Sequence, residues 1–197
     1  MSLGLPKHKV MVCPYDPEWP NLYLQEEERL RQALGDWILD IQHVGSTAVP
    51  GLASKPIIDI GIAIQDFEQG FETIPIMAEL GYNFRGELGV PGRHFFIQGR
   101  PRTHHVHMSE KTNPDWIQRL KFRDTLRSNP EAAKQYEELK SSLADQFPND
   151  LTAYSDGKTE FIKKVLSLNP DPIPSDHFDQ SQGQILDNQQ YNSDKGS

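Results

Sequence analysis

The chain has 197 residues, of which 36% are hydrophobic and 24% are charged, and its formal net charge is −8. This apolar content is enough for one ordinary domain core, while the negative charge argues against a nucleic-acid binder, whose contact surface would be basic. No apolar run reaches the ~20 residues of a membrane-spanning helix, we expect no secretory leader, and the single cysteine, Cys13, cannot form an intrachain disulfide. We therefore expect a cytoplasmic protein without a membrane partner.

Three helix starts share one sequence pattern, in which a polar residue precedes a proline and an acidic residue. They are Asp16-Pro17-Glu18, Asn113-Pro114-Asp115 and Asn129-Pro130-Glu131. The polar side chain can cap the helix, proline fits the first turn, and the acid favours the positive end of the helix. The first start predicts a helix over residues 17–34, and the other two begin a helical region over residues 114–168.

Strands are predicted between these helices. Residues 57–64 alternate isoleucine on one face with Ile57, Asp59, Gly61 and Ala63 on the other, which is typical of a strand with a buried face. A further strand is predicted at 37–44, a helix at 67–80, and a strand pair at 94–98 and 103–109. Residues 169–197 are rich in proline, asparagine, glutamine and serine, so we expect a disordered tail after a domain of residues 1–168.

The segment before and into the second strand, residues 43–59, reads HVGSTAVPGLASKPIID. Small residues with free N–H groups suit a loop that holds phosphate. A Walker A loop is excluded, because Pro50 and Gly51 stand where that motif needs glycine and lysine. The segment resembles the hallmark of the GrpB family, which combines His-x-Gly-Ser-Thr, Val-Pro-Gly-Leu and Lys-Pro-x-x-Asp. The resemblance extends over roughly residues 8–168.

The GrpB pattern is similar to that of the nucleotidyltransferase superfamily, and the resemblance implies an α+β fold: a mixed β-sheet flanked by helices, with a helical C-terminal region. It implies binding of a nucleotide or another phosphorylated ligand, transfer of a nucleotidyl or phosphoryl group, and a context in coenzyme A metabolism. Enzymes of that superfamily hold Mg²⁺ between two carboxylates two positions apart on one strand. Here Asp59 is followed by Gly61 at the second position, which leaves catalysis open.

The candidate site residues lie in the glycine segment and in the basic, histidine-rich stretch from residue 93 onward. We predict catalysis at Asp59, His105 and His107, because strand alternation places both histidines on one face. Two histidines with one carboxylate suit Zn²⁺ better than Mg²⁺, so the expected cofactor is a divalent metal, Mg, Mn or Zn, held by these residues. Predicted phosphate or ligand contacts are His43, Gly45, Ser46, Thr47, Lys55, Arg93 and Arg102.

Two other functions stay open at this point. One is a ligand-sensing or scaffold domain that kept the pocket without the chemistry, and the other is a metal-dependent hydrolase that uses His105, His107 and Asp59. The residues also have simpler interpretations. Asp59 then pairs with Lys55, His43 orders the glycine loop, and the strand histidines and the arginines are solvated surface groups.

Overall fold

The structure, a computed structural model, describes residues 3–168, so the predicted tail at 169–197 lies outside the described residues. Its centre is one five-stranded sheet in the order β1-β2-β5-β4-β3. The strands are β1 (Asp40–Val44), β2 (Ile58–Ile64), β3 (Tyr82–Phe84), β4 (Arg93–Gln98) and β5 (His104–Glu110). The β2 and β5 strands pair in parallel and the other neighbours are antiparallel, which confirms the predicted mixed sheet of an α+β fold.

In the described part of the chain, six α-helices flank this sheet. They are α1 (Trp19–Leu34), α2 (Thr73–Glu79), α3 (Pro114–Ser128), α4 (Pro130–Gln146), α5 (Leu151–Asp156) and α6 (Thr159–Leu168). The predicted caps form at α3 and α4, where the side chains of Asn113 and Asn129 accept hydrogen bonds from backbone N–H groups in the first turn. The first helix begins at Trp19, two residues later than predicted. It ends before Gly35, which agrees with the prediction.

One face of the sheet is the main hydrophobic core. Ile58, Ile60, Ile62 and Ile64 are at most 1% exposed and pack with residues of α1 and α2, such as Trp19 and Met77. Burial of each such side chain contributes roughly 1.5–3 kcal/mol, so this face supplies much of the stability that fixes β2 in place. The rigid β2 strand then positions Asp59, which points to the opposite face.

Three elements differ from the sequence prediction. β1 begins at Asp40 because residues 35–37 form a 3-10 turn, and the helix predicted at 67–80 is reduced to α2 after a 3-10 turn at 69–72. The strand β3 was not predicted, since only three residues pair with β4 and show no periodic pattern. The helical region from residue 114 is four separate helices.

The second face of the sheet is covered by the C-terminal helices. α3 contacts β1, β2 and β5, and α6 packs on α3. A second core cluster, which includes Val49, Leu126, Tyr136 and Val165, joins α3, α4 and α6 to the segment after β1. Within residues 3–168, none of the helices combines the length and the apolar character that crossing a membrane requires.

Candidate functional site

A cavity of about 410 Å³ lies between the second face of the sheet and the C-terminal helices. The glycine loop at 45–47 and the polar residues of β2 and β5 form its sheet side. Side chains from α3, α4 and α6 and from the α5–α6 connection form the opposite wall. The cavity therefore joins the segment singled out in the sequence to helices far along the chain.

Three polar side chains meet on the sheet side of the cavity. The parallel register places Asp59 opposite His105 and Gly61 opposite His107, which confirms that the two strands are neighbours. His105 Nδ1 lies 3.1 Å and His107 Nε2 lies 3.3 Å from the same oxygen, Oδ1 of Asp59. The predicted catalytic residues thus form one hydrogen-bonded cluster.

The charge of this cluster follows from burial and from these hydrogen bonds. Burial by itself raises the pKa of Asp59, but the hydrogen bonds from His105 and His107 outweigh it and hold this pKa well below its usual range. Burial lowers the pKa of His107 to about 3, and nearby Arg119 acts in the same direction. At neutral pH the cluster therefore contains an ionised carboxylate and a neutral His107.

Arg93 lies behind His107 and does not line the cavity. Its guanidinium Nη1 is 3.4 Å from His107 Nδ1, and its Nη2 donates to the carbonyl oxygens of Glu87 and Leu88 at 3.0 and 3.3 Å. A guanidinium can only donate, so Nδ1 of His107 accepts this hydrogen bond. The proton of His107 is then on Nε2, where it is donated to Asp59.

The hydrogen bonds around the cluster do not fit a metal ion well. The candidate ligand atoms of Asp59, His105 and His107 lie within 4.8 Å of one another, which is close enough to hold one ion. A metal-bound histidine, however, donates its outer N–H to an acceptor, and the outer nitrogen of His107 faces the donor Arg93. Nε2 of His105 is buried and finds no partner within residues 3–168. Metal binding through both histidines would thus leave one N–H against a cation and the other unpaired.

Metal analysis of protein purified without oxygen tests this inference. We expect less than one equivalent of zinc, manganese or iron per chain, and the same content in a His107→Ala variant, because the ring nitrogens already donate to Asp59. Stoichiometric metal that disappears in His107→Ala would contradict the proton assignment and establish the site of two histidines and one carboxylate.

The glycine loop passes directly over Asp59. Gly45 has φ +71°, and a Cβ atom at this position would lie 2.6 Å from Oδ2 of Asp59. Glycine is therefore required here both for the backbone conformation and for the close approach. Ser46 and Thr47 follow in a 3-10 turn that lines the cavity.

His43 supports the loop from the other face of the sheet and is outside the cavity lining. Its ring stacks on Tyr23 with centroids 4.7 Å apart, and its Nε2 is 3.0 Å from Oγ1 of Thr47. Burial lowers the pKa of His43 to about 3, so the ring is neutral. This placement agrees with the simpler interpretation, in which His43 orders the glycine loop.

A cluster of three lysines occupies another part of the cavity: Lys55, Lys140 and Lys158. Nζ of Lys55 and Nζ of Lys158 lie 5.2 and 4.4 Å from the centre of the Tyr154 ring. Lys140 lies over the Tyr136 ring at 4.8 Å and donates to the carbonyl oxygen of Ala53. Among residues 3–168, no salt bridge joins any of these lysines to a carboxylate.

The lysine cluster is electrostatically costly because its charges lie together, with Lys140 buried and Lys55 and Lys158 partly buried. Burial, followed by repulsion from a neighbouring lysine, lowers the pKa of Lys140 and of Lys158 to about 7. Burial also lowers the pKa of Lys55, against the attraction of Asp59. Arg119 adds a further guanidinium to the lining, but it is paired with Asp115 at 2.7 Å. The cavity is thus locally cationic in a chain with an acidic net charge.

The structure assembles most of the residues that the sequence singled out. Those that line the cavity are Gly45, Ser46, Thr47, Lys55, Asp59, His105 and His107. Of the other predicted ligand contacts, Arg102 also lies outside the lining, where its guanidinium is 3.4 Å from the carbonyl oxygen of Pro6. Sequence reasoning gave no site role to Lys140 or Lys158.

Gly61 faces a tryptophan where a second carboxylate would be expected. A Cβ atom at Gly61 would lie 3.1 Å from the ring of Trp116 in α3 and 3.4 Å from the Val44 side chain. The space beside Asp59 on β2 is therefore filled by a buried aromatic ring. A Mg²⁺ site built from two carboxylates on this strand has no room to form.

Comparison with known proteins agrees with the pattern in the sequence. The family model described as GrpB protein matches residues 9–168. The UPF0157 protein YqkA of Bacillus subtilis is 43% identical over 159 residues, which cover 80% of this chain and 46% of that protein. The glutamate-rich protein GrpB of Alkalihalophilus pseudofirmus is 31% identical over 172 residues, which cover 84% of this chain and 98% of that protein.

A solved structure has the same fold. The crystal structure of conserved protein GrpB from Enterococcus faecalis matches with a TM-score of 0.76 and 36% sequence identity, over 80% of this chain and 96% of that chain. This chain thus spans about half the length of the Bacillus subtilis relative and nearly all of the other two proteins.

Proposed function

This chain belongs to the GrpB family, and from that premise we propose that its cavity binds a phosphorylated small molecule, either a nucleotide or another phosphate ester. The observation that carries the proposal is the lysine cluster, in which one buried and two partly buried amines share a cavity and form no salt bridge with a carboxylate among residues 3–168. Buried cations without partners destabilise a fold, so their presence together favours a function that needs an anion there.

The arrangement of charge orients the ligand. Asp59 is ionised and repels phosphate, whereas the lysine cluster attracts it. The phosphate group is therefore expected beside Lys55 and Lys158, with backbone N–H groups of the Gly45–Ser46 loop as further donors. Hydroxyl or amino groups of the ligand would then face the carboxylate of Asp59 and donate to it.

Group transfer is not part of this proposal. Nucleotidyl transfer in the nucleotidyltransferase superfamily depends on metal ions held between carboxylates. Trp116 fills the space beside Gly61, where the second carboxylate would stand. A hydrolase based on Asp59, His105 and His107 requires a metal that the hydrogen bonds of His107 disfavour. A domain that binds its ligand without group transfer, such as a ligand-sensing domain, needs neither a second carboxylate nor a metal. The metal analysis described for the site distinguishes such a domain from a metal-dependent hydrolase.

Thermal-shift measurements test the proposal directly. The panel contains inorganic phosphate, pyrophosphate, nucleotides and phosphorylated precursors of coenzyme A, each compared with its dephosphorylated counterpart. A ligand at a hundredfold excess over its Kd stabilises the native state by about 2.7 kcal/mol, which raises Tm by roughly 5–10 °C for a domain of this size. We expect such a shift for at least one phosphorylated compound and none for its counterpart.

Two variants locate the binding site. Lys55→Met is expected to remove the shift, because it removes a cation from the lysine cluster, and Ser46→Ala is expected to weaken it. The matched control is Lys134→Met, which replaces an exposed lysine of α4 and should leave the shift unchanged. If no phosphorylated compound raises Tm, or if Lys55→Met and Ser46→Ala both retain the full shift, the cavity is not the phosphate site.

A further inference from the structure

Lys158 differs from the other lysines of the cavity in ways that point to covalent chemistry. We infer that Lys158 is a nucleophilic amine that forms an imine with the carbonyl group of a phosphorylated aldehyde or ketone. This inference rests on the proposed function, since the phosphate group would bring the carbonyl carbon to the amine. It adds a substrate class to the site, namely small molecules that carry both a phosphate and a carbonyl group.

The contacts of the three lysines select Lys158 as the nucleophile. Lys140 is 2% exposed, donates to the carbonyl oxygen of Ala53 and is also 3.5 Å from Oγ of Ser54, so its nitrogen is held against the protein wall. For Lys55 the attraction of Asp59 is the largest effect of a neighbouring charge on the pKa, and it favours the ammonium form. Nζ of Lys158 has no described hydrogen bond or salt bridge within residues 3–168: its one described contact is the Tyr154 ring at 4.4 Å, and the repulsion from Lys55 exceeds the attraction of Asp59 in setting its pKa.

The surroundings of Lys158 favour the neutral amine that an attack on a carbonyl requires. Lys55 and Lys158 both lie over the Tyr154 ring, and within residues 3–168 no salt bridge joins either amine to a carboxylate. Burial and the charge of Lys55 lower the pKa of Lys158 to about 7, so a substantial fraction is unprotonated at neutral pH. A desolvated lysine beside a second cation is a known way to activate an amine.

The reaction balances without an oxidant or a metal. The nitrogen lone pair of Lys158 attacks the carbonyl carbon, a C–N bond forms, and the C=O π electrons move to oxygen. A proton then moves from the nitrogen to this oxygen, which gives a carbinolamine. The hydroxyl group leaves as water with a proton supplied by the ammonium group of Lys55, the nitrogen lone pair forms the C=N bond, and the remaining N–H proton passes back to Lys55. The net change is one carbonyl and one amine converted to one imine and one water.

Trapping with pyridoxal 5′-phosphate tests the inference on the whole chain of 197 residues. The reagent is added below one equivalent at neutral pH, the imine is reduced with borohydride, and the modified lysines are identified by peptide mass spectrometry. An amine that is about half unprotonated at neutral pH should be labelled at least about tenfold faster than an ordinary exposed lysine, even though its lower basicity makes it a weaker nucleophile. Pyridoxal without the phosphate serves as the comparison and should lose this preference for Lys158.

Variants separate this inference from the proposed function. Lys158→Arg should abolish the fast labelling, whereas the control Lys134→Arg should leave it unchanged, and circular dichroism shows that each variant is folded. Fast labelling at another residue, or labelling spread over exposed lysines, overturns the inference. The shift of wild-type Tm by phosphate esters without a carbonyl is measured in parallel. If that shift is present and Lys158 is not labelled, only the imine inference fails; if that shift is absent, the phosphate site itself fails.

Discussion

Replacement of Gly45 with alanine is expected to lower the free energy of unfolding by about 3 kcal/mol or more and to distort the cluster at Asp59. Gly45 has φ +71° and ψ −170°, a backbone conformation that is almost confined to glycine and that costs other residues about 1–3 kcal/mol. The added methyl group would also lie 2.6 Å from Oδ2 of Asp59, so the loop or the carboxylate must move. Urea unfolding measures the loss, and loss of the phosphate-induced thermal shift reports the damage to the site.

Gly51→Ala is the matched control for this prediction. Gly51 also has a positive φ, +78°, but no atom of the described residues 3–168 lies within 4 Å of a Cβ atom at that position. It should therefore lose only about 1–2 kcal/mol from backbone strain and keep its thermal shift with phosphorylated ligands. Equal losses in the two variants would show that the contact between the glycine loop and Asp59 is not as close as the structure indicates.

Local patterns in the sequence predicted the elements that hold the sheet side of the cavity. The isoleucine alternation placed β2, and the alternation around residues 104–109 placed His105 and His107 on one face, because strand periodicity is a property of neighbouring residues. Asn113 and Asn129 marked the starts of α3 and α4 for the same reason. These are signals that a few consecutive residues carry by themselves.

The lysine cluster could not be predicted in this way. Lys55 precedes β2, whereas Lys140 is in α4 and Lys158 is between α5 and α6, so only the packing of the C-terminal helices on the sheet brings them together. A lysine on a predicted helix is usually a solvated surface residue, and nothing local distinguishes Lys158 from Lys134. The same limit applies to Arg93, because the sequence cannot show that a basic residue of β4 points behind His107 rather than into the cavity.

The second large effect is expected at Lys158. Replacement with methionine should remove the phosphate-induced thermal shift and at the same time raise the free energy of unfolding at neutral pH by about 1–2 kcal/mol. The side chain keeps its length, while the buried charge and its repulsion of Lys55 and Lys140 are lost. Lys134→Met, in an exposed part of α4, should change neither quantity. A structural lysine would behave in the opposite way, since its removal would lower stability.

The dependence on pH identifies the cause of that stabilisation. The pKa of Lys158 is about 7 in the folded protein against 10.5 for an ordinary lysine, so between these values the unfolded chain binds more protons. The free energy of unfolding of the wild-type protein therefore rises with pH across that window. The destabilisation that Lys158 causes is complete only below pH 7. The advantage of Lys158→Met in urea unfolding should be largest below pH 7 and should vanish above about pH 10.5. If the stability advantage of Lys158→Met does not change with pH, better apolar packing stabilises the variant rather than the removal of a charge. The electrostatic cost of the lysine cluster would then no longer support binding of an anionic ligand.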